Sequence, residues 1–260
     1  MFIPKIDNRI VFLIKILVFS FASVFANPLV SYWQQKVDYD MEITLHDSIQ
    51  QVAGNSIIKY KNNSPDSLKR IYIHLYPNAF QNGSTKYREY LGNAGRISRA
   101  KYFKESLKKY SSKIDIHNFS ISLPKEGSSW IHKTPILDDY KIDDTILEAK
   151  LANKIAPGET VRIDIEWTHH VGEMIERAGI YEGQYNMAQW YPKLAVYDQE
   201  GWHADVFHAE GEFYGEFGDF KVVFDIPKIF VIGATGVVID GDPGWNEVKV
   251  DTSIEYNVWL

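Results

Sequence analysis

Apolar and polar residues alternate along much of this chain. Val37, Tyr39, Met41, Ile43 and Leu45 occupy every second position near the start, and polar residues stand between them. Successive side chains of a strand point to opposite faces of a sheet, so this pattern predicts a half-buried β-strand. Similar patterns predict strands at residues 54–60, 71–75, 114–123, 145–151, 161–167, 220–226, 231–234 and 248–258.

Turn signals separate these segments. The tripeptide Ala156-Pro-Gly158 stands between the predicted strands 144–151 and 160–167 and favours a tight turn. The stretch 97–110 departs from alternation, because its apolar residues recur at helical spacing. Many short strands and one inserted amphipathic helix predict an all-β fold, an antiparallel β-sandwich or saddle of sheets.

Composition narrows the function classes. The 260 residues have ordinary globular composition, and their length is enough for one large core or two small ones. A formal net charge of −6 argues against a nucleic-acid partner, because a phosphate backbone repels an acidic surface. The absence of cysteine excludes disulfides, thiolate metal ligands and a cysteine nucleophile.

The first 26 residues have the features of a secretory signal peptide. Basic residues precede an apolar run at 16–25, and the small residue Ala26 suits a cleavage site before Asn27. This pattern predicts export to a periplasm or the cell exterior. The alternative is an uncleaved anchor that keeps the chain at the membrane, since 10–26 is about long enough to span a bilayer.

Potential metal ligands fall in two clusters, His169-His170 with Glu173 and the segment 203–212. A zinc site needs three or four ligands that converge on one point. Adjacent histidines on a strand point to opposite faces, and the two histidines of the second cluster are five residues apart. We therefore predict no metal site in this chain. No Gly-x-Ser-x-Gly motif is present, and no catalytic residue is predicted.

Aromatic side chains are dense in the second half. Trp190, Tyr191 and Trp202 allow two interpretations, a core at a sheet crossing or the floor of a sugar or peptide groove, and the core is favoured. The Gly-rich stretch 211–218 carries two glutamates that would repel phosphate, so we predict a hairpin connection with aromatic anchors there.

Several motifs occur in a fixed order between residues 31 and 258. They are Tyr32-Trp-Gln-Gln35, Leu75-Tyr-Pro-Asn-Ala-Phe-Gln81, Met187-Ala-Gln-Trp-Tyr-Pro-Lys193, Gly201-Trp-His-Ala204, Glu216-Phe-Gly-Asp-Phe220 and Gly233-Ala-Thr-Gly236. This set resembles the amino-terminal domain of M1-type zinc metallopeptidases, the aminopeptidase N-like gluzincins. The segment 75–81 is expected to be a strand.

The resemblance implies a saddle of antiparallel sheets that packs on a thermolysin-like catalytic domain. That domain holds zinc through a His-Glu-x-x-His motif, and this chain contains no His-Glu dipeptide. We therefore expect no cofactor in this chain, with zinc in a catalytic domain that is missing or separately encoded. The expected β domain covers 27–240, and 241–260 is the truncated start of a connection toward the catalytic domain.

In this family the first domain donates a Gln or Glu that contacts the free amine of the peptide substrate. Counting back from Pro192, the resemblance places this role at Gln184, with Glu182 as its neighbour. The implied function is a non-catalytic domain that shapes the peptide-binding cleft of a secreted metallopeptidase. The alternative is an independent β-sandwich binding module for peptide or carbohydrate, with Trp190 and Trp202 as its surface.

Overall fold

Strands dominate the computed structural model, which describes residues 32–92, 111–124, 133–174 and 176–245. The predicted signal peptide at 1–26, the helix predicted at 97–110 and the strand predicted at 248–258 lie outside the described residues. In chain order the strands are β1 Lys36–His46, β2 Gln51–Lys61, β3 Leu68–His74, β4 Lys113–Pro124, β5 Lys133–Pro135, β6 Leu137–Asp143, β7 Ile146–Ile155, β8 Thr160–His170, β9 Gly179–Tyr181, β10 Gln184–Asn186, β11 Lys193–Leu194, β12 Val196–Asp198, β13 Gly201–His203 and β14 Asp219–Asp225. Helix α1 covers Thr85–Gly92, and 3-10 turns cover Asp47–Ile49 and Tyr76–Phe80.

Six strands form the larger sheet, in the order β14-β1-β2-β8-β4-β5. β1 and β2 form a long hairpin that Gln50 closes with a left-handed backbone (φ 52°) and an N–H donated to the Asp47 carbonyl at 3.1 Å. β2, β8, β4 and β5 continue the antiparallel pattern, whereas β14 runs parallel to β1. The predicted all-β fold class is confirmed, and β14 is an exception to its antiparallel pairing.

The smaller sheet has the order β11-β3-β7-β6 and is antiparallel throughout. The turn predicted at Ala156-Pro-Gly158 is present, with the Glu159 N–H donated to the Ala156 carbonyl at 3.1 Å and Gly158 at φ 80°. This turn carries the chain from β7 in the smaller sheet to β8 in the larger one. The two strands are neighbours in sequence but lie in different layers of the sandwich.

Apolar side chains from the two sheets fill the space between the layers. Ile58 and Ile163 come from the larger sheet and Ile71, Ile73 and Leu147 from the smaller one, and all five are fully buried in one cluster. The same periodicity that predicts the strands decides which of their residues enter this core. All the strands lie in the compact unit that begins at Gln35.

The largest fully buried side chain among the described residues, Trp167, lies against a glycine. Trp167 is 1% exposed, and its Nε1–H donates to the Ser56 hydroxyl at 2.9 Å. Gly54 is its direct partner across β2 and β8. A Cβ on Gly54 would meet the indole Cη2 at 2.9 Å, with Cε2 and Cζ2 nearer still. The close approach of the indole therefore requires glycine at this position.

A buried asparagine ties together loops of the two sheets. The amide nitrogen of Asn62 donates to the carbonyls of Asp66 at 2.7 Å and Ile155 at 3.2 Å. Its amide oxygen accepts from the Ser64 hydroxyl at 2.6 Å and from Gln35 Nε2 at 3.3 Å. Asn62 is fully buried, so these bonds replace the water that its amide loses on folding.

The segment 75–81, predicted as a strand, instead forms the buried 3-10 turn Tyr76–Phe80. Pro77 has no N–H to donate to a strand ladder, which disfavours the predicted strand. Asn78 anchors the turn, because its side-chain oxygen accepts the Ile114 N–H at 2.8 Å.

Two further differences concern short elements. Residues 231–234, predicted as a strand, form an irregular loop. Helix α1 is not predicted by the sequence pattern, because its eight residues are mostly polar and give a weak apolar period. It begins where the Thr85 N–H donates to the Asp144 carboxylate at 2.6 Å.

Candidate functional site

A cavity of about 410 Å³ lies at the end of the sandwich where β8 ends and β4 begins. Its wall is built from the 3-10 turn Tyr76–Phe80, helix α1 and loops at 171–179, 188–189 and 207–213. Cavities of this size commonly hold small ligands. Segments that are far apart in sequence therefore meet around one space.

One wall of the cavity is aromatic. Tyr76 packs edge-to-face against Phe213 with ring centroids 4.6 Å apart, and Phe207 packs against Phe213 at 4.8 Å and Phe80 at 5.8 Å. Phe213 therefore anchors its loop as predicted. The hairpin predicted at 211–218 is wrong, because this stretch contains no strand and leads from β13 to β14 in a different sheet.

An ion pair between a buried lysine and an exposed glutamate stands at the other side of the cavity. The Lys86 ammonium lies 2.9 Å from Glu176 Oε2, and the Tyr90 hydroxyl donates to Glu176 Oε1 at 2.9 Å. Burial lowers the pKa of Lys86, and the hydrogen bond that Lys86 donates to Glu176 opposes that shift. Glu176 has a left-handed backbone at φ 61°, a conformation that non-glycine residues adopt at a cost.

A histidine and a serine meet on the cavity wall. His169 is buried, and its Nε2 lies 2.8 Å from the Ser112 hydroxyl oxygen. Burial lowers the pKa of His169 to about 3, so the imidazole is neutral at physiological pH and a weak general base. His170 is exposed, which confirms that the adjacent histidines face opposite sides. The contact joins the residue just before β4 to β8 and does not activate the hydroxyl as a nucleophile.

The predicted amine-contacting residues lie on the β9–β10 hairpin. Glu182 stands exposed in its turn at φ 49°, and Gln184 is exposed with its Nε2 donating to Asn186 Oδ1 at 2.9 Å. Neither lines the cavity. Gln189 does line it and has a left-handed backbone at φ 52°. The sequence signal for Gln189 is its place three residues before Pro192, inside the motif 187–193.

The histidines of the second cluster have separate partners. His203 Nε2 lies 2.8 Å from Asp198 Oδ2, whereas His208 Nδ1 lies 2.5 Å from Glu89 Oε1 on helix α1. Within residues 32–92, 111–124, 133–174 and 176–245, no three His, Asp or Glu side chains are grouped to hold a metal ion.

The tryptophan pair packs against the core. Trp190 lies 5.9 Å from Trp167, and Trp202 lies 5.1 Å from Tyr197 and 5.6 Å from Tyr72 between ring centroids. Both indoles are partly buried on the main hydrophobic cluster. The interpretation of these aromatics as core at a sheet crossing is therefore favoured over a free binding platform.

Large apolar side chains are exposed throughout the segment 217–245. Among them, Ile229, Val237 and Ile239 are 79%, 87% and 85% exposed. The others are Phe217, Phe220, Val223, Phe224, Val231, Val238 and Trp245. This density of bare apolar side chains is typical of a surface that another protein covers. No helix in the described part of the chain is both long and apolar enough to cross a membrane.

Comparison with known proteins finds likeness in structure and none in sequence. No family model matches the chain, and no curated protein matches it. Among solved structures, the M1 zinc metallopeptidase from Deinococcus radiodurans is 13% identical, with a TM-score of 0.39, over 81% of this chain and 37% of that chain. A mutant of that enzyme bound to a Tyr-Ser-Ala substrate is 12% identical, with a TM-score of 0.39, over 78% of this chain and 35% of that chain. The chain thus spans about a third of the length of these enzymes, and likeness this distant carries no argument about function.

Proposed function

We propose that this chain is the amino-terminal β domain of an M1-type zinc metallopeptidase. Residues 27–240 would form the domain, after a signal peptide at 1–26 that directs export to the periplasm or cell exterior. In this proposal the domain shapes one wall of the peptide cleft and packs on a catalytic domain, which supplies the zinc chemistry. The segment from 241 onward leads toward that domain. The chain alone does not hydrolyse peptides.

One observation carries the proposal. The motifs at 75–81 and 187–193, which support the resemblance and lie about a hundred residues apart, line the same cavity. The first supplies the aromatic wall through Tyr76 and Phe80, and the second supplies Gln189. Strand packing alone does not require residues of two distant motifs to meet at a cavity. We therefore infer that the two motifs share a role there.

The amine-anchoring role fits Gln189 better than Gln184 or Glu182. A side-chain amide oxygen accepts hydrogen bonds from an ammonium group, and Gln189 lines a cavity large enough for a peptide's first residue. Its left-handed backbone is a strain that the surrounding structure must support, and such strain concentrates at binding sites. Gln184 and Glu182, at the exposed hairpin, remain the alternative positions.

A titration of short peptides into the full chain tests this site. We expect a tripeptide with a free amine to bind at least about ten-fold more tightly than its N-acetylated form, since an amide lacks the ammonium charge. Gln189→Ala should remove this preference, and the matched variant Gln184→Ala should keep it. The reverse pattern would assign the role to Gln184. Equal binding of both peptides would favour an independent binding module instead.

The exposed apolar side chains of segment 217–245 support the proposal that a catalytic domain packs on this domain. We expect the folded chain to self-associate or to bind a hydrophobic dye, because bare apolar surface does both. Charged substitutions at Val237 and Ile239 should reduce dye fluorescence without lowering the cooperativity of unfolding. A monomeric, dye-silent chain would argue against a covered surface. Hydrolysis of aminoacyl nitroanilides by the purified chain with added zinc would refute the non-catalytic role.

A further inference from the structure

Three aromatic rings surround the ammonium group of Lys86. Its Nζ lies 3.9 Å from the ring centroid of Phe207, 5.3 Å from that of Phe80 and 5.8 Å from that of Tyr90. The face of an aromatic ring attracts a cation within about 6 Å of its centroid. The rings come from the 3-10 turn, helix α1 and the loop at 207–213, so the ammonium group is where these elements meet.

A carboxylate completes the enclosure. Glu176 Oε2 lies 2.9 Å from Lys86 Nζ, while Glu176 Oε1 accepts the Tyr90 hydroxyl at 2.9 Å. Both oxygens therefore have a donor, and the carboxylate is held in one orientation. Lys86 is 1% exposed, and a lysine this buried needs compensation for its lost hydration.

We propose that Phe80, Tyr90, Phe207 and Glu176 form a binding site for a primary ammonium group, which the chain itself fills with Lys86. A primary ammonium can donate an N–H to the Glu176 carboxylate oxygen and a quaternary one cannot, so a primary ammonium fits this cage better. Lys86 acts as a tethered ligand that holds helix α1 against the loops at 176 and 207. This site does not depend on the proposed peptidase role.

Vacating the cage tests the proposal directly. Lys86→Ala removes the tethered ligand and leaves room for methylammonium, which matches the end of the lysine side chain. A ten-fold excess of methylammonium over its Kd should raise the melting temperature of Lys86→Ala by about 4 °C. Wild type should show no shift beyond that given by sodium chloride at the same concentration. Tetramethylammonium should be less effective, because it donates no N–H.

Two controls make the outcome decisive. Adding Glu176→Gln to Lys86→Ala should abolish the methylammonium effect, and Lys86→Met should show none because its side chain still occupies the cage. An equal shift in wild type and Lys86→Ala, or no shift in Lys86→Ala, overturns the proposal.

A second measurement applies if Lys86→Ala does not fold. In wild type, reductive methylation followed by mass spectrometry should modify Lys86 at least about ten-fold more slowly than the exposed Lys36, since a caged amine cannot reach the reagent. Phe207→Leu should speed the modification of Lys86, and Phe220→Leu, outside the cage, should not. Modification of Lys86 at the rate of Lys36 in wild type overturns the proposal.

Discussion

Replacing Gly54 with alanine should strongly destabilise this fold. The added methyl group would lie 2.9 Å from Cη2 of Trp167 and closer to Cε2 and Cζ2, whereas ordinary contacts are 3.4–4 Å. One of the two groups must therefore move by more than about 0.5 Å, and overpacking of this kind typically costs 1–3 kcal/mol. The indole cannot retreat easily, because it is 1% exposed and tied to Ser56 by its N–H.

We expect Gly54→Ala to lower the free energy of unfolding by about 3 kcal/mol, the upper end of that range, because the clash is with a fixed ring. At about 2–4 °C per kcal/mol for a domain of this size, the melting temperature should fall by roughly 6–12 °C. Chemical denaturation followed by tryptophan fluorescence measures the first quantity, and a calorimetric melt measures the second.

Two variants separate the clash from a general effect of alanine. Gly233 has no atom within 4 Å of an added Cβ, so Gly233→Ala should be neutral or stabilise by up to about 1 kcal/mol. Trp167→Leu removes the ring that the methyl group strikes, so Gly54→Ala should cost much less in that background. A loss below about 1 kcal/mol for Gly54→Ala alone would refute the close approach of Gly54 and Trp167.

Three further predictions concern buried polar groups and backbone strain. Asn62→Ala should lower the free energy of unfolding by about 3 kcal/mol, because buried partners lose their hydrogen bonds. Gln189→Gly should raise it by about 1 kcal/mol, because glycine adopts φ 52° without strain. Burial lowers the pKa of His169 to about 3 and that of His74 to about 4, whereas unfolded histidine titrates near 6.5. Stability is therefore full above pH 6.5 and should fall by about 2 kcal/mol per histidine between pH 6.5 and 5.

Denaturant titrations at pH 7.5 and 5 check all three. The matched control for Asn62→Ala is Asn63→Ala, at the exposed neighbouring position, which should cost less than about 0.5 kcal/mol. Gln189→Ala should not share the gain of Gln189→Gly, and equal stabilisation would refute the strain. His169→Gln should remove about half of the pH-dependent loss, and an unchanged pH profile would show that His169 is not buried as a neutral group.

The sequence predicts well which side chains of a strand face the core, but it predicts poorly which strands pair with each other. The alternation from Val37 to Leu45 predicts which residues of β1 enter the core, because side-chain direction follows from backbone geometry alone. The same pattern does not say that β14 pairs with β1 in parallel, or that β7 and β8 lie in different sheets. Those choices depend on contacts between residues distant in the chain.

Prediction of the candidate site from sequence has the same limit, since the site depends on contacts between residues distant in the chain. The motif 187–193 contributes Ala188 and Gln189 to the cavity, whereas Gln184, the position reached by counting residues, lies outside it. Which glutamine lines the cavity depends on the left-handed backbone at 189, and local sequence contains no signal for that conformation. The sequence likewise gives no signal for the Lys86 cage, since its rings and carboxylate come from the 3-10 turn, helix α1 and two loops, which meet only after folding.

The buried Asn62 has a consequence for producing this protein. Asn62-Asn63-Ser64 is an acceptor triplet for N-linked glycosylation, which host enzymes attach to the chain as it enters their secretory pathway. A glycan on Asn62 would replace an amide hydrogen that bonds to Asp66 or Ile155, at a position with no exposed surface. The triplet at Asn118 lies at an exposed position of β4 and leaves room for a sugar. In a eukaryotic host, glycosylation of Asn62 before β2 and β7 close around it would therefore lower the yield of folded chain.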